Sequence, residues 1–367
     1  MKGIPWSYGR PGLWKHKFIH PIPRSGPMPS KRGRALQRRK KAIFYSGKTV
    51  LVTGGSGFVG SHIVEALVRQ GARVRVPIHK RAVDLENTAV ETFRADLQRE
   101  EDCMEAVKGV DYVFHAAGSV GSASLKVDKA MASITGNLIM TSLMLQAAWS
   151  GKVKRFLLFG SSTGYPVSDH PVKEEEMWEG PPFEGYWGYG WMRRYLERLG
   201  EFVHSQSGVK VALARPTAVY GRRDNFEPDS SHVIPGLIRR AVEREDPFEV
   251  WGSGKEVRDF LHVSDLARGC LLLLEKHAEC DPVNIGYGGG TTIRELARVV
   301  LGAAGHGGAR VVFNASRPTA IPVRVVDTSK AKKILGFDPA VSLEEGVKDT
   351  VEWYVERRRK EQGASGP

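Results

Sequence analysis

The chain has 367 residues, 41% of them apolar and 26% charged, a balance that excludes a wholly disordered protein and is enough for two lobes around a buried core. Its longest apolar runs, such as Cys270–Leu274, are too short to cross a bilayer. Three cysteines without CxxC spacing, Cys103, Cys270 and Cys280, exclude a disulfide framework and a cysteine-held metal, and read as reduced thiols of a cytoplasmic protein.

The net charge of +13 belongs to the first segment. Residues 1–46 hold twelve Lys or Arg and no Asp or Glu, so the remainder, with 42 basic and 41 acidic side chains, is nearly neutral. Frequent Pro and Gly and weak apolar periodicity predict disorder there. Three readings of this tail stand open. It is a leader, with Met28 as an internal start. It is an organelle transit segment, although its prolines break an amphipathic helix. Or Lys31–Lys41 bind a phosphate backbone, the one route by which nucleic acid enters the reading.

From Gly47 the order is strand, glycine turn, helix, strand. Lys48–Val52 is a β-branched run, Ser61–Gln70 has helical spacing, and Arg73–Ile78 is a second strand. Strands at Val110–His115, Lys154–Phe159 and Lys210–Ala214 alternate with helices at Thr135–Trp149 and Tyr189–His204. Such alternation predicts an α/β fold: a doubly wound, Rossmann-type parallel sheet covered on both faces. After Arg215-Pro216 turns become denser, which predicts a smaller C-terminal α/β substrate lobe, with Phe260–Leu274 returning to pack on the sheet. The expected divisions are a tail over 1–46, a dinucleotide-binding domain over 47–217, a substrate lobe over 218–360 and a tail over 361–367.

The glycine turn reads Gly54-Gly55-Ser56-Gly57-Phe58-Val59-Gly60. Gly54 can turn with positive φ, Gly57 lets backbone amides approach a pyrophosphate, and Gly60 lets the helix pack closely. The following helix N-terminus favours the anion. Glycine spacing alone is a weak signal, but between a strand and a helix it predicts dinucleotide binding, with Phe58 and Val59 in the same loop. At the end of the second strand, where an NAD site usually has a carboxylate, the chain has His79-Lys80-Arg81. Three donors suit a 2′-phosphate, so NADP(H) is expected over NAD(H). Asp96-Leu97 would stand near the adenine, and Ala116-Ala117-Gly118 would leave room for the cofactor ribose.

Ser161-Ser162-Thr163 ends a strand at the crevice where such a cofactor would lie. Tyr189 and Arg193 are four residues apart on a predicted helix and share a face. A phenol with an ordinary pKa of about 10 needs a lowering of roughly 3 units to move protons near neutrality, and a fixed cation one turn away has the right sign of field. Ser161 or Ser162 can hydrogen-bond the reacting oxygen.

With these residues the chain resembles the extended short-chain dehydrogenase/reductases over about residues 48–357, and within them the GDP-L-fucose synthases. The resemblance rests on Phe159-Gly160-Ser161-Ser162-Thr163-Gly164-Tyr165-Pro166, on Asp224-Asn225-Phe226 with Ser231-His232-Val233-Ile234-Pro235, and on Val250-Trp251-Gly252-Ser253-Gly254. Arg258-Asp259-Phe260-Leu261-His262-Val263 and Arg324-Val325-Val326-Asp327 continue it. It implies a 4-keto-6-deoxy sugar on GDP, epimerised at C3 and C5 and reduced at C4 with NADPH. Ser161 is then the hydroxyl, Tyr189 the acid, and His232 the epimerisation acid or base. Pro216 and Thr217 join the cofactor set. Arg240 and Arg258 face the diphosphate, Trp251 lines the pocket, and Asn225 and Asp327 complete the substrate set. No metal is implied. A homodimer is, through the helices around Thr135–Trp149 and Tyr189–His204.

Three positions depart from the family pattern. Arg193 stands for the catalytic Lys, keeping the charge with a larger, planar group. Thr163 stands for the epimerisation Cys, and a hydroxyl is a far poorer base than a thiolate. Ala218 stands for an Asn. Two other readings compete with an epimerase/reductase: a sugar-nucleotide 4-epimerase without net cofactor use, and a non-catalytic dinucleotide-binding scaffold that meets nucleic acid through the basic tail.

Overall fold

A computed structural model describes residues 43–79, 89–118, 127–228, 230–317, 319 and 321–363. The basic stretch 1–42 and the expected cofactor residues Lys80 and Arg81 lie outside the described residues.

The first half runs β1 (Thr49–Thr53), α1 (Phe58–Arg69), β2 (Arg73–Ile78), β3 (Val90–Arg94), α2 (Glu100–Ala106), β4 (Tyr112–His115), α3 (Val127–Ser150), β5 (Arg155–Phe159), α4 (Trp187–Gln206) and β6 (Lys210–Pro216). The second half runs β7 (Ala218–Tyr220), α5 (Val233–Val242), β8 (Phe248–Trp251), β9 (Val257–Arg258), β10 (Phe260–His262), α6 (Val263–Lys276), β11 (Val283–Ile285), β12 (Thr291–Thr292), α7 (Ile293–Ala303), β13 (Val311–Asn314), β14 (Val323–Arg324), α8 (Ser329–Leu335) and α9 (Leu343–Gly363).

Seven strands form the central sheet in the order β11-β6-β5-β4-β1-β2-β3, and every pair in it is parallel. Strand order reverses between β1 and β4, so the ligand crevice falls at their carboxyl ends. β1 is buried from Val50 to Thr53, as a strand covered on both faces must be. One core layer joins Ile63, Val64 and Leu67 of α1 to Leu266, Cys270 and Leu274 of α6. The other joins Cys103 of α2 to Met144 and Ala148 of α3 and Val203 of α4. Each fully buried Leu in these layers contributes about 1.5–3 kcal/mol. A third cluster, with Phe226, Leu237, Phe248, Leu296, Val300 and Tyr354, holds α5, α7, α9 and β8 together. No helix among the described residues is long and apolar enough to cross a membrane.

The expected return of Phe260–Leu274 to the sheet is realised by β10 and by α6, which packs on α1. The return goes further than the sequence indicated, because β11 adds the seventh strand beside β6. Three boundaries are corrected. The body begins before residue 47: Phe44 stacks on Tyr112, and the buried Tyr45 hydroxyl donates to the Leu271 carbonyl at 2.7 Å. Aromatic packing there outweighs the basic, Pro-rich composition that precedes it. At the other end, α9 continues to Gly363 rather than giving way to a tail at 361, carried by pairs such as Lys360 with Glu356 and Arg357 with Glu361. And α3 starts eight residues before Thr135, where the buried polar Ser133 interrupts the apolar pattern that marks a helix face.

Candidate active site

The glycine turn has the geometry its sequence requires. Gly54 has φ +67°, and a Cβ there would lie 2.8 Å from the Ala116 carbonyl carbon. A Cβ on Gly60 would lie 2.1 Å from the Gly54 oxygen, so the helix starts tightly against the turn. Gly57 caps α1 from an extended conformation with no side-chain hydrogen bond, and the first turn has no acidic residue. The first N–H groups of α1 therefore have no carboxylate in their own turn to compete with an anion, and these residues fit a pyrophosphate. Phe58 packs its ring edge-to-face on His62, and Val59 packs against the core.

Beside this turn lies a hydrogen-bond chain that sequence reasoning missed. Thr53 Oγ1 accepts from the Ala117 N–H at 3.1 Å and meets His115 Nδ1 at 2.9 Å, while His115 Nε2 meets Thr141 Oγ1 at 3.1 Å. Burial, with Arg193 adding to it, pushes the His115 pKa down to about 3. His115 is thus a neutral connector that fixes Ala116, Ala117 and Gly118 relative to β1 and α3. The available signal was a histidine at the end of an otherwise apolar strand.

At the end of β5, Ser161 caps a short turn over Ser162–Gly164. Its Oγ accepts from the Thr163 hydroxyl at 2.8 Å and from the Thr163 N–H at 3.2 Å. With both lone pairs engaged, the Ser161 proton is left to be donated outward. Tyr189 lies in the first turn of α4. Arg193 Nη2 donates to the Tyr189 hydroxyl at 2.6 Å, and the guanidinium lies 5.0 Å from the centre of the Tyr189 ring. Arg193 Nη1 donates to the Phe159 carbonyl at 3.2 Å, and its Nε is buried without a partner. A Cβ on Gly118 would lie 3.9 Å from Arg193 Nη2, which sets the pair beside the end of β4.

One buried ion pair holds these parts in place. Arg215 Nε and Nη2 grip Glu197 at 2.9 and 2.7 Å, and Nη1 donates to the Tyr165 hydroxyl at 3.0 Å and the Glu174 carbonyl at 2.7 Å. Burial opposes the Arg215 charge, but the Glu197 carboxylate outweighs it and keeps the guanidinium protonated. Glu197 lies one turn beyond Arg193 on α4, and a Cβ on Gly160 would come within 2.1 Å of its Oε1. The pair therefore fixes α4 against both β6 and the chain entering Ser161.

The other expected site residues are more dispersed. Asp96 Oδ1 accepts from the Gln98 N–H at 3.0 Å, and Leu97 is buried among α2 and α3 residues. His79 is exposed at the end of β2. Pro216 is in register with Ile285, and Thr217 donates to buried Asp259 at 3.3 Å. Asn225 is held within its own loop, donating to Ser230 Oγ at 2.8 Å. His232 stands at the start of α5, 3.8 Å from Asp224, whose carboxylate raises the imidazole pKa against the opposing effect of burial. Arg240 donates to the Gly236 and Glu249 carbonyls and lies over Phe248. Trp251 is partly exposed beneath the Arg317 guanidinium, and Asp327 Oδ1 accepts from the Ser329 N–H at the start of α8. No group of three or more His, Cys, Asp or Glu among the described residues could hold a metal ion.

Arg258 is in register with Arg324, a residue to which the sequence assigned no role. Arg258 donates to the Val257 and Pro322 carbonyls. Arg324 is 7% exposed and donates from Nη2 to the Tyr165 and Pro166 carbonyls, while its Nε and Nη1 are buried without partners. Burial pushes its pKa down to about 10, and Arg258 adds to that while Tyr186 and Tyr165 act the other way. Two adjacent guanidiniums with unused donors are suited to a phosphate.

The NAD dependent epimerase/dehydratase family profile matches residues 50–286. The chain is 35% identical over 314 residues to a putative GDP-L-fucose synthase 2 of Oryza sativa subsp. japonica, covering 83% of this chain and 86% of the relative. It is 32% identical to a dTDP-4-dehydro-6-deoxy-D-allose reductase of a Streptomyces species, covering 86% of this chain and 98% of the relative. In structure it is similar to UDP-glucose 4-epimerase of Thermotoga maritima with UDP-glucose, with a TM-score of 0.76, 29% identity, and coverage of 84% of this chain and 99% of the other.

Proposed function

The chain belongs to the NAD dependent epimerase/dehydratase family and is an NAD(P)-dependent sugar-nucleotide enzyme, and from that premise we propose that it reduces the C4 ketone of a 4-keto-6-deoxyhexose nucleotide with NADPH. A GDP-sugar is the favoured substrate, since the curated relatives include several GDP-L-fucose synthases. The observation that carries the reading is the Arg193–Tyr189 contact of 2.6 Å at the edge of the glycine-loop crevice. Ser161 donates to the C4 carbonyl oxygen and polarises it. Tyr189 gives its proton to that oxygen, and the guanidinium stabilises the phenolate that remains. NADPH, held by the Gly54–Gly60 turn, would supply the hydride when bound. Arg258 and Arg324 take the diphosphate, and Trp251 lines the sugar-nucleotide pocket.

Thr163 spends its hydroxyl on Ser161, so the reading centres on reduction, with His232 as the candidate for any proton exchange at C3 or C5. A 4-epimerase remains the second reading because of the likeness to a UDP-glucose 4-epimerase. The test is NADPH and NADH oxidation against GDP-, UDP- and dTDP-4-keto sugars, with product configuration read by NMR. Net NADPH consumption with a 4-hydroxy product is expected. On UDP-glucose and its GDP and dTDP counterparts, which carry a hydroxyl at C4, interconversion at C4 without net cofactor oxidation would instead establish the epimerase, and inactivity on both the 4-keto and the 4-hydroxy sugars would refute both.

We also infer a homodimer through α3 and α4. Trp187, Trp191, Tyr195 and Phe202 are exposed along α4, with Trp149 exposed on α3 beside Phe202, a row of aromatic side chains suited to burial against a second copy. Analytical ultracentrifugation should show one species of twice the 40.5 kDa chain; a monomer at micromolar concentration would overturn this. Three unpaired thiols, Cys103, Cys270 and Cys280, favour a reducing, cytoplasmic setting.

A further inference from the structure

The carboxyl ends of β2 and β3 lie side by side, with Ile78 in register with Arg94. Beyond Ile78 the chain enters His79, and Arg94 Nη1 donates to the His79 carbonyl at 3.0 Å. That bond uses one of five guanidinium donors and fixes the charge at the point where β2 runs out. Arg94 is exposed, so its remaining donors face solvent over the strand end.

Its neighbours differ from it in one respect. Arg75, on the adjacent strand, pairs with Glu91 at 3.2 Å, and Arg99, five residues on, with Glu101 at 3.7 Å. Among the described residues no carboxylate pairs with Arg94. Asp96, two residues on, turns Oδ1 inward to the Gln98 N–H. A cation held by the backbone but left without a counter-ion is suited to bind an anion brought by a ligand.

The ligand's anion follows from the position. In a doubly wound sheet the adenosine ribose lies over the end of the second strand, where a carboxylate takes the two ribose hydroxyls and a guanidinium takes a 2′-phosphate. We infer that Arg94, from the neighbouring third strand, is the residue that distinguishes NADP(H) from NAD(H). The inference rests on the cofactor reading above and assigns it to a residue outside the His79-Lys80-Arg81 run.

The test is a fluorescence titration of the full-length protein with NADPH and NADH, for the wild type, Arg94→Ala and Arg94→Lys. Competition by adenosine 2′,5′-bisphosphate and by AMP reports the 2′-phosphate alone. Arg94→Ala is expected to weaken NADPH and the bisphosphate by about 10- to 100-fold, the range of a charge-assisted hydrogen bond. NADH and AMP should stay within about twofold, and Arg94→Lys should recover part of the loss. A wild type that favours NADPH alongside an Arg94→Ala variant with the same preference would overturn the inference and leave the cofactor reading standing. Equal weakening of all four ligands would also overturn it, by showing a merely structural role. A wild type without preference would remove the cofactor reading and the inference together.

Discussion

Tyr189→Phe is expected to lower kcat for a 4-keto sugar nucleotide by about 10²- to 10⁴-fold, the usual worth of a positioned proton donor. The variant removes one oxygen. The ring stays, and with it the face over which the Arg193 guanidinium lies at 5.0 Å. Arg193 keeps its bond to the Phe159 carbonyl, so α4 should not move and the melting temperature should stay within a few degrees. KM for substrate and cofactor should change little, because the lost interaction strengthens only as charge develops on the C4 oxygen. The measurement is steady-state kinetics with NADPH oxidation as the readout. A kcat within tenfold of wild type would mean that another group supplies the proton, and the role given to Tyr189 would have to be abandoned.

Glu197→Gln is expected to cost about 3–5 kcal/mol of folding stability. The side chains of Arg215 and Glu197 are 1% and 4% exposed, so the neutral amide leaves a guanidinium in the interior without its ion-pair partner. Gln matches Glu in shape, which separates the electrostatic loss from a cavity. For a chain of this size the change should lower the melting temperature by roughly 4–7 °C. Activity should fall at temperatures where the variant is still folded, because the same pair aligns α4 with Ser161. Urea denaturation of both proteins provides the measurement. A loss under about 1 kcal/mol would show that the pair is replaceable and does not lock the site.

The parts of this protein that could be read from its sequence are those in which one residue type meets one local demand. Gly54 needs its positive φ and Gly60 its missing Cβ whatever the rest of the chain does. Tyr189 and Arg193 share a helix face, and their contact follows from spacing. What escaped depends on partners far apart in the chain. Arg215 meets Glu197, Tyr165 and Glu174 only after three elements have packed. Arg324 reaches Arg258 through a two-residue ladder too short to leave a pattern. The start of α3 was hidden by a polar residue, Ser133, that the fold buries. Arg240 shows the converse limit: its charge could be read, but two of its donors go to backbone carbonyls of its own lobe.

The seventh strand has a consequence for synthesis. β6 ends at Pro216, and its free edge is closed only by Val283–Ile285. A chain that has emerged from the ribosome through the whole first half still presents that edge unpaired, and it lacks α6, which shares with α1 the cover for one face of the sheet. An open, apolar strand edge invites pairing with another chain. The first half is therefore expected to need later residues before its sheet is closed. It is completed late, by α6 and β11.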